Sequence, residues 1–247
     1  MRILIVSDLH YGGKPFHGMN QSKVFSSLYK IIDEEKPDLL LSAGDFGDEA
    51  TLEMFRPITK ACHFLTIYGN HDNVELIRAL KNSDGSSCWL QDGTRREYKG
   101  LVIAGISGNI AMTKRKPHHK TVEDVEAIIS KYSRTGKINI LITHEVPEHP
   151  ALSRNDRILG YKTFNSAIGK LKPELYLCGH IHIPSQIVRF DVTTLLCLDS
   201  GMRHAEYATT EYEDGEFASP EIRKMSDKHR PNFTEKANIL LDDYVGR

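Results

Sequence analysis

The chain has 247 residues, and its 33 acidic side chains nearly cancel its 32 lysines and arginines, for a formal charge of −1. That balance excludes a whole-molecule field steering it to nucleic acid or an anionic membrane, so any polyanion must be met by a local patch. No segment approaches the roughly 20 consecutive apolar residues of a membrane-spanning helix, and the short apolar run at residues 3–6 lacks a following small-residue cleavage site, so a cytoplasmic protein without membrane contact is expected.

In chain order, the first third alternates short apolar runs with longer amphipathic stretches, the pattern of β-α-β units feeding a layered sheet. Strands are predicted at residues 2–7, 38–42 and 63–68, with helices at 21–35 and 51–60 between them. Val24, Leu28, Ile31 and Ile32 have helical spacing, and Lys36-Pro37 stops that helix. Further strands are predicted at 101–106, 138–143 and 175–178, with helices at 122–132 and 164–171. Residues 185–190, 193–198 and 206–212 follow closely and suggest a meander of mixed or antiparallel strands. One domain over residues 1–224 is expected. Residues 225–247 lose the strand rhythm, apart from a short helix at 237–244, and read as a tail on the domain surface or at a homo-oligomer contact.

The four cysteines form no CxxC pair, and buried structural thiols are the expectation. Histidines are more informative, because several sit at strand ends beside Asp, Asn and Gly. Five clusters recur there: Asp8-Leu9-His10, Gly44-Asp45, Gly69-Asn70-His71-Asp72, Thr143-His144-Glu145 and Gly179-His180-Ile181-His182. C-terminal strand ends share one rim in layered α/β folds, so these clusters can converge. Imidazole nitrogen with carboxylate or amide oxygen suits Zn, Mn or Fe better than thiolate-selective ions. In an extended backbone both members of Asp8-x-His10 or His180-x-His182 face one side; in a turned backbone they separate, each toward its own metal.

In their order, the five clusters closely resemble the signature of the calcineurin-like metallophosphoesterase family, which reads DxH, GD, GNH[DE], a single His and GHxH. The resemblance spans residues 1–201 and implies a four-layer α/β/β/α sandwich with mixed sheets. It further implies two divalent metal ions, one held by Asp8, His10 and His182 and the other by Asn70, His144 and His180, with Asp45 bridging. Manganese is favoured, with zinc, iron or nickel as alternatives. The relatives that carry an Arg after GD with GNHE, an Arg in place of His71, or a metal-binding Tyr do not match this chain. The remaining branch is that of small phosphodiesterases and nucleases.

The activity so implied is hydrolysis of a phosphodiester, with nucleic acid among the candidate substrates. Direct attack by a metal-held hydroxide is expected, with His71 protonating the leaving oxygen and Asp72 orienting or charging His71. A phosphomonoesterase is the runner-up, and a non-catalytic binding scaffold of the same fold is the alternative from another class. The basic run Lys114-Arg115-Lys116-Pro117-His118-His119-Lys120 reads either as a solvated loop or as a substrate loop in which Arg115, His118 and His119 reach the rim. Arg203 is a further candidate phosphate contact.

Overall fold

The computed structural model describes residues 1–12, 21–155, 157–201 and 203–225. In chain order the elements are β1 (Arg2–Val6), α1 (Val24–Glu35), β2 (Leu39–Ser42), α2 (Leu52–Ala61), β3 (His63–Thr66), α3 (Val74–Ala79), β4 (Arg95–Tyr98), β5 (Leu101–Ile106), β6 (Asn109–Ile110), β7 (His119–Lys120) and α4 (Val122–Ser133). There follow β8 (Ile140–Thr143), β9 (Ser153–Arg154), β10 (Arg157–Ile158), α5 (Lys162–Leu171), β11 (Leu175–Cys178), β12 (Gln186–Phe190), β13 (Thr193–Cys197), β14 (Glu206–Glu213), β15 (Glu216–Phe217) and β16 (Glu221–Lys224).

Two mixed sheets stack face to face, in the orders β15-β14-β1-β2-β3, with β16 also on β14, and β12-β13-β11-β8-β5-β4. Within the first sheet β1, β2 and β3 are parallel. In the second sheet β5, β8, β11 and β13 are parallel, while β4 and β12 are antiparallel edge strands. Strands buried on both faces need no polar alternation, which is why residues 3–6 read as one apolar run. The period of two is still there, sorted between two cores. Ile3 and Ile5 join Leu39, Leu41, Ile140, Ile142 and Leu196 in the layer between the sheets. Leu4 and Val6 face the other way, onto Leu28 and Ile31 of α1 and Phe55 of α2. Leu141 and Tyr176 do the same in the second sheet, packing with Val125 and Ile129 of α4 and Phe164 of α5. The result is the α/β/β/α sandwich.

Local signals set the helix ends. Lys36 takes a left-handed conformation, φ 45°, and its N–H closes on the Ile32 carbonyl before Pro37 forbids continuation. Thr121 opens α4 with a capping box to Asp124.

The meander expected at the C-terminal end is corrected. β12 and β13 pair as a hairpin in the second sheet, but β14 crosses to the first and lies antiparallel to β1. The open edge of β1 needs partners for its N–H and C=O groups, and β14 supplies them. The crossover is hooked at Ser200, whose N–H donates to the Ser7 carbonyl and whose hydroxyl accepts the Ser7 N–H. α3 and β4 were not anticipated; both are short, and α3 rests on Asn73, whose side chain accepts the Leu76 N–H. Residues 21–23 form a turn, so α1 begins at Val24 rather than at 21. β16 pairs with β14, and Met225 is buried with its N–H on the Ala205 carbonyl, so the domain runs through Met225. The helix expected at 237–244 and the rest of the tail lie outside the described residues.

Ile142 is fully buried between the sheets. Ile142→Ala should lower the unfolding free energy by about 2–5 kcal/mol, seen as a lower urea midpoint with an unchanged slope. An unchanged midpoint would contradict a close-packed layer between the sheets.

Candidate metal centre

All five clusters emerge at the C-terminal ends of parallel strands. Asp8 and His10 follow β1, Asp45 follows β2, Asn70 and His71 follow β3, His144 follows β8, and His180 and His182 follow β11. Each sheet thus contributes to one rim. The backbone there is strained: Asp8, His10, Asp45, His180 and His182 all have positive φ, between 47° and 71°. For non-glycine residues such conformations cost of order 1–3 kcal/mol each and persist only where surrounding contacts impose them. Here the Asp8 and His10 N–H groups donate to the Gly44 and Asp45 carbonyls at 3.0 and 2.9 Å. The His180 N–H donates to the Asp8 carboxylate at 2.9 Å. Two glycines let these loops close on one another. A Cβ at Gly69 would collide with Asp45 Oδ1, and one at Gly179 with Asp8 Oδ2 and Ser7 Oγ.

Two groups of donor atoms result, Asp8 with His10 and His182, and Asp45 with His144 and His180, the atoms of each group lying within 4.8 Å of one another. Asp45 Oδ2 stands between the groups, 3.5 Å from His10 Nε2 and 3.2 Å from His144 Nε2. His144 Nδ1–H donates to the Ala43 carbonyl at 2.9 Å, which turns Nε2 toward the site. Around that nitrogen lie Asn70 Oδ1 at 3.0 Å and His180 Nδ1 at 3.1 Å. The His180-Ile181-His182 backbone turns, so its two histidines separate, one to each group. Asp8 and His10 stay together in a single group.

These atoms are acceptors facing acceptors in a buried place, an arrangement that calls for positive charge. Asp45 Oδ2 and His182 Nδ1 are buried without a hydrogen-bond partner. Burial alone would depress the His144 imidazole, but the Asp45 carboxylate overrides it and lifts the group to about 10. Burial would likewise raise Asp8, yet the hydrogen bond with His10 and the charges of His182 and His144 hold it at about 2. His180 is pushed down to about 4 by burial and by His144, leaving it neutral. Without a cation, the cluster must draw protons onto its ring nitrogens. Two divalent ions satisfy the same atoms directly, and the donor set of imidazole, carboxylate and amide oxygen fits them.

Asp72 has a different job from the one expected. Its carboxylate accepts the backbone N–H groups of Asp45, Phe46 and Gly69, all at 2.7 Å. It therefore ties the loop after β2 to the loop after β3, and it is a positioning residue for both rather than an orienting group for the His71 ring. His71 is half-buried, with its ring centroid 5.2 Å from that of His10 and its N–H on Asp45 Oδ1 at 2.7 Å. Burial pushes its imidazole below the ordinary value, against the pull of Asp45.

The basic run does not present a continuous cationic face. Lys114 pairs with Asp124 at 2.6 Å at the start of α4, and Lys120 is buried against Asp92 at 2.9 Å. Arg115 is exposed on this loop. His118 turns inward, buried and within electrostatic reach of Asp45 and His71, and it is pushed down to about 4, first by burial and then by His119. His119 bonds back to the Thr113 carbonyl at 3.1 Å. The Arg203 N–H donates to Asp199 Oδ2 at 3.2 Å, while Asp199 Oδ1 lies 3.9 Å from His182 Nδ1. Sequence reading gave no role to Asp199 or to Glu145 of the Thr143-His144-Glu145 cluster, the latter 3.8 Å from His180 Nε2. Their only sequence signal is an acidic residue next to a strand end.

The chain matches the family model of calcineurin-like phosphoesterases over residues 1–184. No curated protein matches the sequence. One solved chain superposes with a TM-score of 0.68 at 14% identity, covering 91% of this chain and 99% of its own. GAP50, the anchor in the inner membrane complex of Plasmodium, gives 0.59 at 12% identity, covering 99% and 94%. A dimetal phosphatase from Danio rerio gives 0.53 at 9% identity, covering 91% and 99%. At these identities the likeness is one of fold.

Because Asp45 Oδ2 faces both groups, Asp45→Asn should lower the occupancy of two metals together and abolish turnover, as read by elemental analysis of the purified protein. Loss of a single equivalent would place Asp45 in one group only.

Proposed function

Because the chain belongs to the calcineurin-like phosphoesterase family, and is thereby a phosphoester hydrolase dependent on two metal ions, we propose that it cleaves phosphodiesters at the rim where its two sheets meet. Asp8, His10 and His182 would hold one divalent cation, Asn70, His144 and His180 the other, and Asp45 would bridge them. The observation that carries this reading is the position of Asp45 Oδ2, 3.5 and 3.2 Å from an imidazole nitrogen of each group. Bound there, the cations would supply a water of lowered pKa and positive charge opposite the phosphoryl oxygens. Manganese is our first choice, with zinc, iron and nickel as competitors, because the donors are nitrogen and oxygen with no thiolate.

The chain's own residues then position the reaction and move its proton. Asp72 and the glycines fix the loops, so the donor atoms are in place before substrate arrives. His71 stands at the edge of the cluster beside His10 and delivers a proton to the leaving oxygen. Burial lowers its affinity for that proton, against the pull of the Asp45 carboxylate. His118, buried on the loop before β7, is our candidate substrate contact on this flank. All four cysteines are free thiols, in keeping with a reducing cytoplasm.

Turnover of bis(p-nitrophenyl) phosphate and p-nitrophenyl phosphate with each metal tests the reading. Faster cleavage of the diester supports it, whereas a preference for the monoester makes the protein a phosphomonoesterase. Full metal occupancy without turnover of either would leave a binding scaffold. His71→Asn should keep both metals yet slow diesters with alkoxide leaving groups by about 10²–10⁴-fold, and nitrophenyl esters far less. An equal loss across leaving groups would assign the proton to another donor.

A further inference from the structure

A cavity of about 320 Å³ opens directly beside the proposed centre, lined by Glu145, Arg154, Arg157, Ile158, Tyr161 and His180 among others. Its volume falls within the roughly 300–1,000 Å³ of small-molecule sites. Two of its walls come from the β9–β10 hairpin, whose antiparallel register sets Arg154 directly opposite Arg157. Residues so paired project to the same side, and like charges directly opposite destabilise a hairpin. Among the described residues neither guanidinium forms a salt bridge. Arg154 Nη1 instead donates to the Ile181 carbonyl at 3.4 Å, within the loop that carries His180 and His182. Arg154 is thus tied to the metal-site loop, and neither arginine of the pair is held by a carboxylate among the described residues.

The remaining walls are of another kind. Tyr161 lines the cavity with an aromatic ring, and Ile158 beside it is 47% exposed and adds apolar surface. At the end nearest His180, Glu145 Oε1 accepts the Ile110 N–H at 3.2 Å. Its other carboxyl oxygen offers an acceptor to N–H and O–H groups of a ligand there. A ligand for this cavity is therefore anionic at the arginines, flat and largely apolar against Tyr161 and Ile158, and a hydrogen-bond donor toward Glu145.

A nucleoside with an additional phosphate has those three properties. We infer that the cavity is the subsite for the nucleoside next to the scissile phosphate, and that Arg154 and Arg157 together bind a second phosphate. The substrate class is then an oligonucleotide, or a nucleotide with more than one phosphate. This inference rests on the phosphodiesterase reading above, and its test separates the two.

Calorimetric titration of the chelator-treated, full-length protein, in which turnover is stopped, compares a thymidine dinucleotide bearing a 5′-terminal phosphate with one lacking it. The extra phosphate should strengthen binding by about tenfold or more, the usual effect of a charge-assisted bidentate contact. Arg154→Ser with Arg157→Ser should erase that difference, and the double Lys variant should keep part of it. In the metal-loaded enzyme the Ser pair should lower kcat/KM for the phosphorylated dinucleotide more than for the unphosphorylated one. A longer oligothymidylate in the same titrations identifies the source, since a gain over the dinucleotide marks an oligonucleotide and none marks a small nucleotide. Equal binding with and without the phosphate, or a difference that survives the Ser pair, would overturn the subsite. If no diester is cleaved but the binding difference remains, the phosphodiesterase reading fails and Arg154 and Arg157 stand as a phosphate-binding pair only.

Discussion

Acceptor atoms from both sheets are aimed into one small buried volume, and most features of the rim follow from that constraint. Asp45 Oδ2, Asn70 Oδ1 and His180 Nδ1 all stand within 3.2 Å of His144 Nε2. Lone pairs gathered in a low-dielectric place repel each other unless positive charge sits among them. The elevated affinity of His144 for a proton and the depressed one of Asp8 are two expressions of this single electrostatic demand. A protonated imidazole meets it partially, and a divalent cation meets it with better geometry.

Holding such a cluster together requires conformations that the chain would not otherwise adopt. Five non-glycine residues at positive φ sit at strand ends whose preceding strands are buried, apart from Arg2 at the start of β1. The strain is located where the two apolar cores can oppose it, since β1, β2, β8 and β11 cannot shift without opening the layer between the sheets. Backbone hydrogen bonds among the loops then transmit that rigidity to the side chains. Asp72 shows how economical the arrangement is, because one carboxylate takes three N–H groups from two loops and so fixes the position of Asp45 and the loop leading to Asn70 at once.

Around this rigid centre the surroundings are varied and shaped by short elements. β6 and β7 bring His118 inward while Lys114 is drawn away to the N-terminus of α4. β9 and β10 place two arginines on the other flank, beside His180. The division matches what phosphoryl transfer asks of a protein: a fixed core of positive charge for the reacting group, and adaptable contacts for the rest of the substrate.

The seven candidate ligands and the layered fold were legible in the sequence for a physical reason. Buried strands must be apolar, strand ends must turn, and Asp, Asn, His and Gly placed at those turns have few other uses in such number and order. Residues such as Asp8, His10, His180 and His182 therefore announce themselves locally. The tertiary structure alone decided matters that depend on which distant groups meet. The crossing of β14 to the first sheet follows from the unpaired edge of β1, which nothing near residue 206 encodes. Asp72 was assigned to its neighbour His71 because adjacency is all a sequence offers, whereas its carboxylate is satisfied by backbone N–H groups 26 and 27 residues away. The basic run read equally as a solvated loop or as a polyanion contact, and only the fold pairs two of its lysines with Asp124 and Asp92. Arg154 and Arg157 carry no motif, and only the register of their hairpin and its packing against the His180 loop make them a pair. Chemistry written in residue type and strand position is visible along the chain, and chemistry that arises from long-range pairing of charges and edges exists only once the chain has folded.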